Sequence, residues 1–150
     1  DEQLRSNALN TLQVLLKYKT IPIINENDSV AIDEIVYGDN DTLSAITARL
    51  IRADLLVLLS DIDGLYDADP SKCPHAKKID VVDTIDETVM AMAGDSNSSV
   101  GTGGMVTKLQ AARIATEAGC DMVIANGKDP SILYDLVEGK KIGTLFKARR

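Results

Sequence analysis

Apolar positions along the chain alternate between helical stripes and short continuous runs. Leu4, Ala8, Leu9, Leu12, Leu15 and Leu16 recur at helical spacing, so Glu2 to Lys17 is expected to be an amphipathic helix. Lys17 and Lys19 suit the negative end of its dipole, and Thr20 with Pro22 marks the exit. Ile21 to Asn25 then predicts a buried strand, and Ala31 to Tyr37 a short extended pair at a sheet edge. Leu43, Ile46, Thr47, Leu50 and Ile51 follow the i, i+3, i+4, i+7, i+8 pattern, predicting a helix over Thr42 to Arg52. Leu55 to Leu59 is apolar at every position, as a central strand covered on both faces would be.

Asp63-Gly64 predicts a tight hairpin into Leu65-Tyr66. Beyond it, a short strand is expected at Ile79 to Val82 and a short helix at Asp86 to Ala93, with Val89, Met90 and Ala93 inward. A longer helix from Met105 to Ala118 would bury Leu109, Ala112 and Ala115. Met122 to Ala125 predicts another strand, ended by Asn126-Gly127. Pro130 opens a helix over Ser131 to Glu138, and Ile142 to Phe146 is the last strand. Strands alternating with helices indicate one α/β domain with a largely parallel sheet.

Three polar features interrupt this pattern. The run Asn25-Glu26-Asn27-Asp28 ends the first strand, and Gly38-Asp39-Asn40-Asp41 precedes the second helix. A single Asp before a helix is ordinarily a cap; three polar residues after a glycine exceed what capping needs. Amides and carboxylates at a strand's carboxyl end lie where open α/β sheets keep their ligand crevice. Ser60-Asp61 repeats the arrangement after Leu55 to Leu59. The third feature is Gly101 to Lys108, a glycine-rich loop feeding a helix N-terminus, where backbone N–H groups and the helix dipole favour an anion. It is neither a Walker A sequence nor a dinucleotide fingerprint, because Val106 occupies the third glycine position.

Composition narrows the classes. With 150 residues and 45% hydrophobic content the chain can bury one ordinary core. The net charge of −7 argues against nucleic acid as the main partner. Cys73 and Cys120 are far apart with no CxxC partner, so neither a disulfide framework nor a zinc site is indicated, and a reduced, cytoplasmic setting is expected. Asp61, Asp63, Asp67 and Asp69 miss calcium-loop spacing. The lone His75 is read as a surface residue, and no metal-ligand set is assigned. No apolar run reaches membrane-spanning length. The chain begins at Asp1, inside the first predicted helix, and is expected to be a piece whose upstream part is missing.

The segments IPIINEND (21–28), YGDNDTLSA (37–45), LLSDIDGLYDADP (58–70), AGDSNSSVGTGGMVTKLQAA (93–112) and EGKKIGTLF (138–146) resemble the amino acid kinase family, and within it the glutamate-phosphorylating branch. They follow the family's order and spacing over essentially the whole chain. The resemblance implies an αβα sandwich around a mainly parallel open sheet, incomplete at its N-terminus. It implies transfer of the ATP γ-phosphoryl group to the side-chain carboxylate of glutamate, with Mg²⁺ carried mainly by the phosphates. Carried over by position, Asn25, Asp28, Asp39 and Asn40 resemble the glutamate-binding groups, and Asp41 the aspartate that holds catalytic lysines. Ser60 and Asp61 resemble nucleotide contacts. Thr102, Gly103, Gly104, Met105, Val106, Thr107 and Lys108 match the loop over the ATP phosphates, with Lys108 as the transition-state cation.

The resemblance further implies cytoplasmic homo-oligomers, dimers or tetramers, with proline as a feedback inhibitor. The family's first phosphate loop and a C-terminal RNA-modification-type domain have no counterpart here. The chain is therefore expected to carry most of the ATP side and part of the glutamate side, and not to turn over alone. Acetylglutamate kinase, aspartokinase, uridylate kinase and a non-catalytic nucleotide-binding module are the competing readings.

Overall fold

The periodic segments fold as helices and strands for local reasons that can be followed residue by residue. A computed structural model describes residues 2–25, 39–93 and 104–149. The first helix, α1, covers Glu2–Lys17. Among its described side chains a narrow stripe is covered: Leu9, Leu12 and Leu15 are half-buried, whereas Val14 and Leu16 are exposed. The second, α2, covers Asn40–Ile51 and stops at Arg52, whose left-handed backbone (φ 56°) turns the following Ala53 N–H back onto the Ala48 carbonyl at 2.9 Å. After the short link Arg52–Asp54 the chain returns as strand β1, Leu55–Ser60.

Strand β2 is Val81–Val82, and α3 is Glu87–Met92, capped by the Asp86 carboxylate, which accepts from the Val89 N–H at 2.9 Å. Helix α4, Met105–Glu117, is followed by strand β3, Asp121–Asn126. Helix α5 covers Ile132–Val137 and strand β4 covers Thr144–Phe146. The turn before α5 is tied by the Asp129 carboxylate, which accepts the Ser131 N–H at 2.9 Å; that bond holds its pKa below the ordinary carboxylate value.

The sheet is four-stranded in the order β1-β3-β4-β2. β1 pairs with β3 in parallel, and β2 with β4 in parallel, whereas β3 and β4 run antiparallel. It is a mixed, mainly parallel open sheet in an α/β fold. Successive side chains of β3 serve opposite faces, as the period of two requires. Met122 and Ile124 join α2 and α4 residues in the larger core, with Leu58, Leu65 and Phe146. Val123 and Ala125 pack on the other side with Leu136 of α5. Burying an Ile, Leu or Phe side chain fully is worth about 1.5–3 kcal/mol, so β3, covered on both faces, is the mechanical centre.

Four expectations need correction. Ile21 to Asn25 is not a strand: it joins no described ladder, and Ile21 and Ile23 are 87% and 96% exposed. An apolar run becomes a strand only where a neighbour takes its backbone hydrogen bonds. β1 is not central among the described residues; it pairs on one side only, and Leu55 and Leu59 are exposed. Asp63-Gly64 does not make a tight hairpin. Tyr66 pairs instead with Lys78, closing a long loop by bonds from Ile79 N to Leu65 O and Asp67 N to Lys77 O. The last strand is shorter than expected because Gly143, at φ +73°, runs directly over β3, where an added Cβ would lie 2.0 Å from the Ile124 carbonyl oxygen. The extended pair expected at Ala31 to Tyr37 lies outside the described residues.

Candidate active site

Helices α2 and α4 approach closely because small side chains line their contact. Ala45, Ala48, Ala111, Ala112 and Ala115 are all 5% exposed or less. This brings the first turns of the two helices together. Asp39 caps α2 with extended backbone, and both its oxygens are used locally: Oδ1 accepts the Thr42 N–H at 2.6 Å and Oδ2 the Thr42 hydroxyl at 3.0 Å. Asn40, next in the chain, is exposed. Asp41 turns the other way, toward α4. Its Oδ2 accepts from Lys108 Nζ at 3.1 Å and from the Thr107 hydroxyl at 2.8 Å. The Thr107 oxygen is also 2.8 Å from the Gly104 carbonyl, and its single proton serves one acceptor at a time.

The electrostatics of this pair are unusual. A cation in the first turn of a helix opposes the helix dipole, yet Lys108 sits in the first turn of α4 and is buried, its side chain only 10% exposed. Asp41, 18% exposed, offsets both the dipole and part of the desolvation. The ammonium is thus held where the first turns of two helices meet. Asp41 takes one of its three N–H donors.

The other rim is built by the strands. α2 runs 12 residues and β1 six, about 18 Å and 20 Å respectively. Joined by a short link, they fold back on each other, so the N-terminus of α2 and the end of β1 share one edge. α4 and β3 repeat this through Ala118–Cys120. Ser60 and Asp61 therefore lie at the same edge as Asp41 and Lys108. Ser60 Oγ donates to Asp61 Oδ1 at 3.0 Å. These two residues line an open cleft of about 540 Å³ with Leu59, Asn126, Gly127 and Lys128.

Of the residues singled out from sequence, the structure brings Asp41, Thr107 and Lys108 into direct contact and sets Ser60 and Asp61 on a cleft. Gly104 is the N-cap of α4, and Met105 and Val106 form its first turn, Val106 exposed. Asn25 is exposed on the unpaired Ile21–Asn25 segment. Asp28, Thr102 and Gly103 lie outside the described residues. Sequence reasoning took Asn126-Gly127 only as a strand terminus and passed over Lys128. The available signal was that a polar pair ends β3 as Ser60-Asp61 ends β1.

The sequence pattern of the amino acid kinase family matches residues 1–126, from α1 to the end of β3. The chain belongs to the amino acid kinase family. Among curated relatives, a glutamate 5-kinase from Clostridium tetani (strain Massachusetts / E88) is 51% identical over 148 residues, covering 99% of this chain and 55% of the relative. One from Clostridium perfringens (strain 13 / Type A) is 48% identical over 154 residues, covering 100% and 57%. One from Herpetosiphon aurantiacus is 56% identical over 141 residues, covering 94% and 38%. The chain thus spans about half the length, or less, of the amino acid kinase relatives it matches.

Solved structures with the amino acid kinase fold include a UMP kinase from Ureaplasma parvum, at TM-score 0.62 and 20% identity, covering 93% of this chain and 52% of that one. A carbamate kinase from Giardia lamblia bound to AMP-PNP matches at TM-score 0.57 and 23% identity, over 87% and 38%. At these identities the likeness bears on the fold. Among the described residues no helix is long and apolar enough to cross a membrane.

Proposed function

We propose that the protein carrying this chain is a glutamate 5-kinase, transferring the γ-phosphoryl group of ATP to the side-chain carboxylate of L-glutamate. The product is L-glutamyl 5-phosphate, which commits glutamate to proline synthesis. The single observation that carries this reading is the Asp41–Lys108 pair, a buried cation held at the meeting point of two helix N-termini. Relatives named glutamate 5-kinase, at 48–56% identity over nearly the whole chain, supply the acceptor.

In the reaction a carboxylate oxygen of glutamate attacks the γ-phosphorus as the bond to the β,γ-bridging oxygen breaks, and ADP leaves with that electron pair. No proton moves. The difficulty is two anions meeting, so catalysis consists of alignment and positive charge on the transferring group. Lys108 supplies that charge, and Asp41 with Thr107 fixes where it points. The N-termini of α2 and α4 add partial positive charge at the same edge. Asn40 and Asp39, with Asn25 and Asp28 from the preceding segment, are the groups we assign to glutamate, amides to its carboxylates and carboxylates to its ammonium. Ser60 and Asp61 are assigned to the nucleotide and Thr102 to Lys108 to its phosphates.

The described residues contain no group of three or more His, Cys, Asp or Glu able to hold a metal ion. They do not fit a protein cage for Mg²⁺; the ion would enter as the ATP complex, held by phosphates and water.

We further infer a cytoplasmic homo-oligomer restrained by proline, with this chain carrying the ATP side and part of the acceptor side of one kinase domain. ADP release by the full-length protein, given ATP, Mg²⁺ and a panel of acceptors, tests the assignment. Glutamate should be the preferred acceptor; preference for N-acetylglutamate, aspartate or UMP would overturn it. The 150-residue chain by itself should not turn over, and robust activity from it would refute the division of the site.

A further inference from the structure

The cleft beside Ser60 and Asp61 has a second wall that none of the assignments above uses. Ser60 and Asn126 are the last paired residues of the β1–β3 ladder. Past that pair the Gly127 N–H donates to the Ser60 carbonyl at 2.7 Å. The Asn126 side chain then employs both ends of its amide. Nδ2 donates to the Asp61 carbonyl at 3.0 Å, across the strands, and Oδ1 accepts the Lys128 N–H at 2.9 Å, within its own loop. Gly127 lets the two loops close, because a Cβ there would lie 2.9 Å from the Leu59 Cβ.

We propose that Asn126 is a positioning residue for the nucleotide: its amide clamps the Ser60–Asp61 loop to the Gly127–Lys128 loop and so sets the width of the cleft. The inference rests on the nucleotide reading of Ser60 and Asp61. Parallel strands diverge once their ladder ends, and no further backbone bond after the one at Gly127 fixes the distance between these loops among the described residues. The cross-strand bond from Asn126 does. An amide is the side chain that fits, because the site needs a donor and an acceptor on one short stem. A carboxylate would keep the bond from Lys128 but present an oxygen to the Asp61 carbonyl.

Asn126→Asp in the full-length protein separates the two bonds. Losing one neutral hydrogen bond at a partly exposed site corresponds to about a five- to tenfold change. ADP affinity by calorimetry should fall, and KM for ATP rise, by about that factor, with KM for glutamate and melting temperature close to wild type. Asn126→Ala removes both bonds without adding charge, should show at least as large an effect, and stands in if the aspartate variant does not fold. Unchanged ADP affinity in a folded variant, or equal shifts in both KM values, would overturn the proposal. Failure of the kinase reading is distinct: wild-type protein would bind ADP yet transfer no phosphoryl group to glutamate.

Discussion

Two helix–strand units, α2–β1 and α4–β3, are built on one plan but differ in burial. β3 is covered on both faces, with Met122 to Ala125 all 5% exposed or less, and α4 buries six residues. β1 has Leu55 and Leu59 exposed, and α2 buries only Ala45 and Ala48. Among the described residues the first unit is an edge piece and the second the foundation. The links between their functional ends are polar: Asp41 with Lys108 and Thr107 between the helices, Ser60 and Asp61 with Asn126 and Gly127 between the strands. Beyond the β1–β3 ladder and the alanine-lined helix contact, a few directional side-chain bonds set these ends, and those bonds involve the groups we assign to substrate.

The sharpest way to break this relation is at the helix link. Asp41→Ala leaves the Lys108 ammonium buried without that carboxylate, which should cost about 3–5 kcal/mol of folding stability. Turnover should fall by about 10² to 10³, the scale for losing control of one charge-stabilising donor. Urea titration and steady-state kinetics on the same preparation read both. Loss of activity with unchanged stability would mean that Lys108 is held by other contacts.

A control outside the links comes next. Thr144, fully buried, accepts the Leu65 N–H at 2.8 Å and donates to the Ile79 carbonyl at 2.6 Å. Thr144→Val leaves both backbone groups without that hydroxyl, at a cost of about 1–3 kcal/mol. It should lower the denaturation midpoint while leaving both KM values alone. A selective rise in KM for ATP would extend the nucleotide site into the sheet centre.

The smallest effect gauges how tightly the foundation is closed. Cys120, at the head of β3, is 1% exposed, and burial foremost, then the charges of Asp121 and Asp54, raises its thiol pKa. Cys73, in the long loop, is half-buried. The thiolate is the reactive form, so iodoacetamide should modify Cys73 first and Cys120 only on unfolding, as mass spectrometry would follow. Equal rates would mean that the α4–β3 unit opens locally.

Most elements were legible because helices and strands declare themselves by period. α1 spans Glu2–Lys17 as expected, and α2, β1, α4 and β3 lie within two residues of their predicted bounds. What periodicity does not contain is partnership. Ile21 to Asn25 has strand composition but no described neighbour, and the direction of β4 depends on the path taken by the chain after α5. The same limit hid part of the site. The resemblance named Lys108 and Asp41, but the period of α4 alone gives no hint that Lys108 is buried, because its carboxylate comes from a helix far away in sequence. Asn126 looked like a strand end, since its importance lies in the Asp61 carbonyl opposite.

The short links Arg52–Asp54 and Ala118–Cys120 carry a kinetic consequence. Each unit is assembled from chain neighbours at little loop-closure entropy, whereas the two links between units join positions far apart in the chain. Docking of one unit on the other is then the late event, and we expect its polar side-chain links to close after the rate-limiting barrier. Weakening Asp41 or Asn126 should steepen escape from the native state while leaving the refolding limb of a chevron where it was; a slowed refolding limb would instead put these bonds inside the nucleus.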